Sequence, residues 1–175
     1  MKHVPFEKIF LEKHFNKTGI ILDLGCGTGR VAEHFAPKKH KVLGIDLSVP
    51  MLFEACNKNI NGPHLFLRAN MLDLSCLCSN SIDYSSCLFS SFGMLLKEKH
   101  RTAMLEEIFR VLKPGGKFIL HVHNLWSASQ GIQGYQWLAL DFCRRIGRAY
   151  DFGNRLLPAH QGICGLTLHL FTWKE

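Results

Sequence analysis

The residues best placed to do chemistry lie at positions 25–29, where the chain reads Gly-Cys-Gly-Thr-Gly. Glycines at alternate positions let the backbone turn sharply and approach a ligand with no Cβ in the way. Helical sequence resumes at Arg30, so the first amides of that helix would point into the same space and favour an anionic group. The turn is therefore predicted to hold a small molecule.

Two carboxylates flank this turn in the sequence. Asp46 comes about 20 residues past the glycines, where an acid reads the ribose of a nucleotide-like ligand by accepting from both hydroxyls. Asp23 precedes the turn and can either brace its amides or face the ligand. A dinucleotide fingerprint would need a further glycine at position 30, which is Arg30. The pattern is Gly-x-Gly-x-Gly, which disfavours NAD.

Other chemistries have weaker support. Cys76 and Cys78 form a Cys-x-Cys pair with Cys87 nearby, but the usual two-residue spacer and a second pair are missing, so no metal site is predicted. The net charge of +7 allows anionic partners such as RNA. The basic residues fall in separate patches without interleaved aromatic side chains, so RNA is an alternative and not the leading interpretation.

The composition indicates one globular domain. The chain has 175 residues, of which 47% are hydrophobic and 20% charged, and no apolar run approaches the roughly 18 residues of a membrane span. Seven cysteines without a visible secretory signal indicate reduced thiols and a cytoplasmic location, with no membrane partner.

Helix-like and strand-like periods alternate along the chain, which predicts an α/β fold with a doubly wound, mostly parallel sheet. Strands are predicted at 19–24, 41–46, 64–69, 82–89 and 117–123, with a last β-like run at 166–172. Helices are predicted at 5–15, 29–36, 48–59, 98–112 and 136–148. Ser48 is predicted to cap the third helix, and Met104, Leu105 and Ile108 to pack the fourth.

Ligands of such sheets bind at the carboxyl ends of the strands. The residues predicted at these ends are the glycine turn, Asp46, Asn70 with Met71, residues 89–91, and His123 with Asn124.

Three segments together closely resemble the class I, Rossmann-like S-adenosylmethionine (SAM)-dependent methyltransferases. They are residues 22–29, residues 44–48 followed by Met51 and Leu52, and residues 110–116, which read Arg-Val-Leu-Lys-Pro-Gly-Gly. The resemblance covers about residues 18–124. It implies the doubly wound fold, SAM as cofactor, and methyl transfer to an acceptor.

Carried over to this chain, the resemblance implies that Gly25, Cys26 and Gly27 approach the methionine portion of SAM through backbone atoms, with Asp23 nearby. Asp46 would hold the ribose hydroxyls, and Leu47 would lie against the adenine.

The resemblance also assigns residues after the later strands. Asn70 stands where family members usually have an acid that accepts from the adenine amino group; its carbonyl can accept that bond without a charge, or Asn70 is simply a turn residue. Met71 would offer its backbone amide to the ring. Phe89 would sit near the sulfonium, where an aromatic face favours a positive charge.

Methyl transfer from a sulfonium depends mainly on positioning and desolvation, so no fixed base is required. His123 is nevertheless a candidate to deprotonate a hydroxyl or amine acceptor. Strand alternation would put His121 on the same face, and either histidine can instead satisfy a local hydrogen bond.

Full-length relatives continue past this region with another helix and two more strands. We therefore expect a single domain, 1–175, that is shortened at its C-terminus and lacks the last strands. Residues 1–124 would form the cofactor-binding core and 125–175 the substrate segment, with a lid at 125–161. An unpaired sheet edge would favour self-association. The leading hypothesis is a SAM-dependent methyltransferase with a small-molecule acceptor; the alternatives are an RNA acceptor, or a SAM-binding partner module that has lost catalysis.

Overall fold

A computed structural model describes residues 5–128, 131–147, 153–156 and 165–173. It divides into two compact units. The first unit comprises Met1–Leu88 and Ala103–Leu120, and the second comprises Phe89–Thr102 and His121–Glu175.

The described helices and strands alternate along most of the chain. Helices α1 to α5 span Pro5–His14, Arg30–Phe35, Val49–Asn57, Glu98–Val111 and Gly131–Ile146. Strands β1 to β7 span Ile20–Leu24, Lys41–Asp46, His64–Arg68, Ile82–Cys87, Leu112–Leu120, Asn154–Leu156 and Thr167–His169. Helices and strands alternate from α1 to β3 and from β4 to α5, whereas β4 follows β3, and β7 follows β6, with no described helix between them. Short 3-10 helices occur at Ala36–Lys38, Ser91–Met94 and Leu125–Ala128. None of the described helices is long and apolar enough to cross a membrane.

The first unit is built on a parallel sheet of five described strands in the order β3-β2-β1-β4-β5. Strand β1 lies at its centre, and four of its five residues are buried, as expected for a strand covered on both faces. The register pairs Leu24 with Ile45 and Asp23 with Ser86, so the carboxyl ends of β1, β2 and β4 lie side by side. The predicted doubly wound parallel sheet is confirmed.

Strands β4 and β5 end earlier than predicted. Phe89 and the following Ser90 have φ values of 54° and 66°, a left-handed conformation that cannot continue a strand, so β4 stops at Cys87. Strand β5 ends at Leu120, so His121 and His123 lie beyond it and not within it.

Residues 113–116, predicted as a turn before the fifth strand, lie within β5, which begins at Leu112, five residues earlier than predicted. The ladder jumps from Ile82 opposite Leu112 to Tyr84 opposite Lys117, so residues 113–116 have no place in it.

Two local expectations about helices are wrong. Ser48 occupies the N-cap position of α3, but its side chain makes no capping hydrogen bond. On α4, Met104 and Ile108 are buried as predicted, whereas Leu105 is 42% exposed.

The second unit contains α5 and a small antiparallel pair, β6 with β7. A parallel bridge joins Asn124 to Phe171, and the Gly153 amide donates to Asp141 Oδ1 at 2.5 Å. The predicted last run, 166–172, therefore holds a three-residue strand and one bridge. Parts of the predicted lid, 129–130, 148–152 and 157–161, lie outside the described residues, as does the predicted end of the last helix at Arg148.

Candidate functional site

The glycine turn between β1 and α2 needs glycine at three positions. Gly25, Gly27 and Gly29 have φ values of 70°, 53° and 76°, which side-chain-bearing residues adopt at a cost. The amides of Gly25 and Cys26 both donate to Ile45 O at 2.9 Å, and the Gly29 amide donates to Cys26 O at 3.0 Å. The first two bonds tie the turn to the end of β2, and the third lies within the turn.

Gly27 and Gly29 lie in different surroundings. A Cβ added at Gly27 would meet no described atom within 4 Å. A Cβ added at Gly29 would lie 2.6 Å from Phe66 Cζ and 3.3 Å from Ala55 Cβ. Gly27 thus leaves open space that a ligand can occupy, whereas Gly29 allows the turn to pack on α3 and β3.

Asp46 braces this turn directly. Its Oδ2 accepts from the Gly27 amide at 2.8 Å, and its Oδ1 accepts from the Ser48 amide at 2.8 Å. A carboxylate has about four lone-pair sites, so both oxygens can still accept from ribose hydroxyls. Sequence reasoning assigned only the ligand-binding role to Asp46. The bracing role depends on the pairing of β1 with β2 and has no local sequence signal.

Asp23 is a buried carboxyl at the end of β1. Its side chain is 4% exposed, and its Oδ1 accepts from Ser86 Oγ at 2.8 Å. Burial raises the pKa of Asp23 to about 7, against the smaller lowering effects of the Ser86 hydroxyl and the Arg30 charge. The carboxyl is therefore poised to gain or lose a proton near neutrality.

This pKa predicts a pH-dependent stability. Because the folded value of about 7 lies above the ordinary 3.8, the folded chain holds this proton more tightly than the unfolded chain. The contribution of Asp23 to the free energy of unfolding is then fully present below about pH 4 and is lost as the pH rises through about 7. Urea unfolding of wild type and Asp23→Asn across this range should show wild type losing stability relative to the variant.

The difference between the two proteins is the informative quantity. Burial lowers the pKa of His34, His40 and His123, so these groups add stability as the pH rises through the same window. They are common to wild type and variant and cancel. A difference that does not change with pH would contradict the raised pKa of Asp23.

Cys26 lies inside the turn with its thiol buried. Glycine at position 44 accommodates it, because a Cβ there would lie 2.8 Å from Cys26 Sγ. Burial, then the nearby Asp23 and Asp46 charges, raise the pKa of the Cys26 thiol, so it stays protonated and is a poor nucleophile. In this structure Cys26 contributes packing, and its backbone amide and carbonyl hold the turn together; its backbone contact with the cofactor stays a prediction.

The residues predicted on the adenine side follow β2 and β3, the neighbouring strands. Leu47 directly follows Asp46 and is 58% exposed, which leaves its side chain open to a ligand. Asn70 is exposed, and its Oδ1 accepts from the Leu72 amide at 3.1 Å, so in this structure it does act as a turn residue. Its carbonyl retains a second lone pair. Met71 is half-buried.

The segment that follows Met71 is held by α4, which sequence reasoning missed. Arg110 donates to Leu74 O at 2.7 Å and to Leu77 O at 2.8 Å. Glu107 accepts from the Leu74 amide at 2.8 Å and pairs with Arg110 at 2.8 Å. The sequence offers one indication of this contact, because Arg110 is the first residue of the 110–116 motif.

In the second unit, the rings of Phe89, His121 and His123 lie next to one another in a row. The Phe89 and His121 rings are 6.1 Å apart, and the His121 and His123 rings are 5.8 Å apart. Burial, then the charge of His121, lower the pKa of His123, so its imidazole is neutral at pH 7 and able to accept a proton. Ser90, next to Phe89, is 1% exposed, and its Oγ has no hydrogen-bond partner among the described residues.

Comparison with known proteins agrees with this geometry. A family model described as a methyltransferase domain matches residues 21–116. YqeM of Bacillus subtilis (strain 168), a methyltransferase by name, is 32% identical over 143 residues, which cover 74% of this chain and 53% of YqeM. The dTDP-3-amino-3,6-dideoxy-alpha-D-glucopyranose N,N-dimethyltransferase of Streptomyces fradiae is 29% identical over 125 residues, which cover 71% of this chain and 47% of that enzyme. The chain thus spans about half the length of these relatives.

A crystal structure of a SAM-dependent methyltransferase from Methanosarcina mazei shares the fold. Its TM-score is 0.75 at 24% identity, over 99% of this chain and 81% of that chain.

The parallel sheet, the glycine turn and the acid after β2 define the Rossmann-like class of SAM-dependent methyltransferases, and SAM is the cofactor of that class. The chain belongs to the methyltransferase-domain family, whose model covers more than half of its residues.

Proposed function

We propose that the chain transfers the methyl group of SAM to a small-molecule acceptor. The observation that carries this proposal is the hydrogen bond from the Gly27 amide to Asp46, which joins the glycine turn to the acid at the end of the adjacent strand. The match to the methyltransferase-domain family supports it independently.

The residues present fit this cofactor. Space for a ligand lies at Gly27, where an added Cβ would meet nothing, and unused lone pairs remain on Asp46. When bound, SAM supplies a methyl group on a positively charged sulfur. Backbone atoms of residues 25–27 would line its methionine portion, with Asp23 nearby, and Asp46 would bind the ribose hydroxyls.

The remaining residues have roles that we propose from the family pattern. Leu47, Asn70 and Met71 would bind the adenine. Phe89 would lie near the sulfonium, and its aromatic face would favour the positive charge. The neutral imidazole of His123 would accept the proton that an oxygen or nitrogen acceptor loses as the methyl group is transferred.

The acceptor is proposed as a small molecule because one relative is named for a dTDP-linked amino sugar. RNA remains the alternative, supported only by the net charge of +7. We further propose one domain in which residues 1–124 bind the cofactor and 125–175 select the acceptor. A cytoplasmic location agrees with the cysteines, since the six that the structure describes form no disulfide with one another. Self-association through a sheet edge stays a prediction.

The direct test is transfer of label from methyl-labelled SAM to a cell extract, followed by fractionation. Label in the small-molecule fraction is the expected result, and label in RNA would favour the alternative acceptor. Gly27→Ala is the matched control, since it fills the proposed ligand space and should abolish labelling. Binding of SAM without transfer to any fraction would favour a SAM-binding partner module, and no binding of SAM would end the proposal.

A further inference from the structure

A second cleft lies in the first unit at the opposite edge of the sheet from the glycine turn. It has a volume of about 210 Å³ and is lined by residues at the amino ends of β4 and β5 and by the segment before β1. Lys17, Lys113 and Lys117 supply its positive charges, and Asp83 its negative one. Because β1 has five residues, roughly 16 Å of strand separates this edge from the SAM site.

The negative charge in the cleft is already neutralised. Asp83 Oδ1 pairs with Lys113 Nζ at 2.7 Å, and Asp83 Oδ2 accepts from the Ile20 amide at 2.8 Å. Burial alone would raise the pKa of Asp83, but the Ile20 amide and Lys113 outweigh it and lower that pKa below its ordinary value. Asp83 therefore stays ionised, and its negative charge balances the positive charge of Lys113.

The other two lysines leave a surplus of positive charge. Lys117 Nζ donates to the His14 carbonyl at 3.0 Å, a contact that orients the ammonium and leaves its charge unbalanced. The Lys17 ammonium makes no hydrogen bond or ion pair within the described residues, while its backbone amide donates to Tyr84 Oη at 3.3 Å. The lining therefore carries two positive charges in excess.

One wall of the cleft is the turn at residues 113–116, which stands outside the β4–β5 ladder. Gly115 has a φ of 79°, and a Cβ there would meet nothing within 4 Å. A Cβ at Gly116 would lie 2.9 Å from Lys113 O and 3.1 Å from Asp83 O. Because Gly116 has no Cβ, the turn can lie close to β4. The side of the turn at Gly115 is open.

Size and charge together limit the ligand. The volume of about 210 Å³ equals roughly seven water molecules at ~30 Å³ each and falls below the ~300 Å³ of sites for drug-sized molecules. A phosphoryl group is small and carries close to two negative charges at neutral pH. We infer that this cleft binds a phosphoryl group, from free phosphate or a phosphate monoester, through Lys17 and Lys117.

The test is titration of the full chain with inorganic phosphate at low ionic strength, followed by calorimetry or by ³¹P NMR. Wild type should bind, and Lys17→Gln should bind about tenfold more weakly, as for loss of one charge-assisted contact. Lys117→Gln should weaken binding in the same direction. Lys99→Gln is the matched control, because Lys99 is exposed on α4 and its loss changes the net charge equally.

Two further arms complete the experiment. Methyl phosphate with an affinity like that of phosphate would identify monoesters as ligands, and binding of inorganic phosphate alone would identify the free anion. S-adenosylhomocysteine, the demethylated cofactor, should not displace phosphate, since the two sites are at opposite sheet edges. No binding by wild type, an equal loss in Lys99→Gln, or displacement by S-adenosylhomocysteine would each overturn the inference, whatever the outcome of the methyl-transfer test.

Discussion

Replacement of Asp46 by alanine should weaken SAM binding by about 1.5 to 3 kcal/mol, the range for losing hydrogen bonds to a charged group. The structure gives a second reason for this loss. The carboxylate that would accept from the ribose also accepts from the Gly27 and Ser48 amides at 2.8 Å each. Alanine would therefore remove the proposed ligand contact and also loosen the glycine turn that is proposed to line the ligand. Calorimetry with SAM measures the effect.

Loss of affinity must be separated from loss of folding. Asp73→Ala is the matched control, because Asp73 Oδ1 also accepts from a backbone amide, that of Ser75, at 3.0 Å in an exposed turn. It should cost some stability and leave SAM affinity intact. Asp46→Asn keeps one oxygen and should fall between wild type and alanine. Unchanged affinity in a folded Asp46→Ala protein would show that the ribose assignment is wrong.

The core of the candidate site could be predicted because its signals are local. A buried apolar run, three glycines and an acid at the end of the next strand are each visible within a few residues. Their approach to one another then follows from the topology, since adjacent parallel strands end at the same edge. The structure adds that these elements support each other, through the bond between Gly27 and Asp46.

What could not be predicted depends on contacts distant in sequence or on special backbone angles. The ion pair of Glu107 with Arg110 holds residues 74–77 more than 30 positions away, and no periodicity reveals such a partner. Phe89 continues an apolar run, so nothing in the composition indicates that β4 ends two residues earlier, at Cys87. Strand β6 is three residues long, too short for an alternating pattern.

The predicted start of α5 is too late for a different reason. The helix begins at Gly131, five residues before the predicted start at Gln136, and includes Gly134. Glycine has low helix propensity, about 1 kcal/mol worse than alanine, so these residues argued against a helix that tertiary context nevertheless stabilises.

Gly29→Ala should lower the free energy of unfolding by about 2 to 5 kcal/mol, the second large effect that we expect. The φ of 76° costs a side-chain-bearing residue about 1 to 2 kcal/mol, and overpacking adds about 1 to 3 kcal/mol. The overpacking arises because the new Cβ would lie 2.6 Å from Phe66 Cζ and 3.3 Å from Ala55 Cβ. Urea unfolding at fixed pH measures the loss.

Gly27→Ala provides the contrast within the same turn. Its φ of 53° carries a similar backbone cost, but the added methyl group meets no described atom within 4 Å, so only about 1 to 2 kcal/mol should be lost. SAM binding should instead be lost, because the methyl group fills the space proposed for the ligand. Phe66→Leu combined with Gly29→Ala should recover the overpacking part and leave the backbone part. Equal destabilisation by the two glycine variants, or no recovery with Phe66→Leu, would contradict a turn in which Gly29 serves packing and Gly27 serves the ligand.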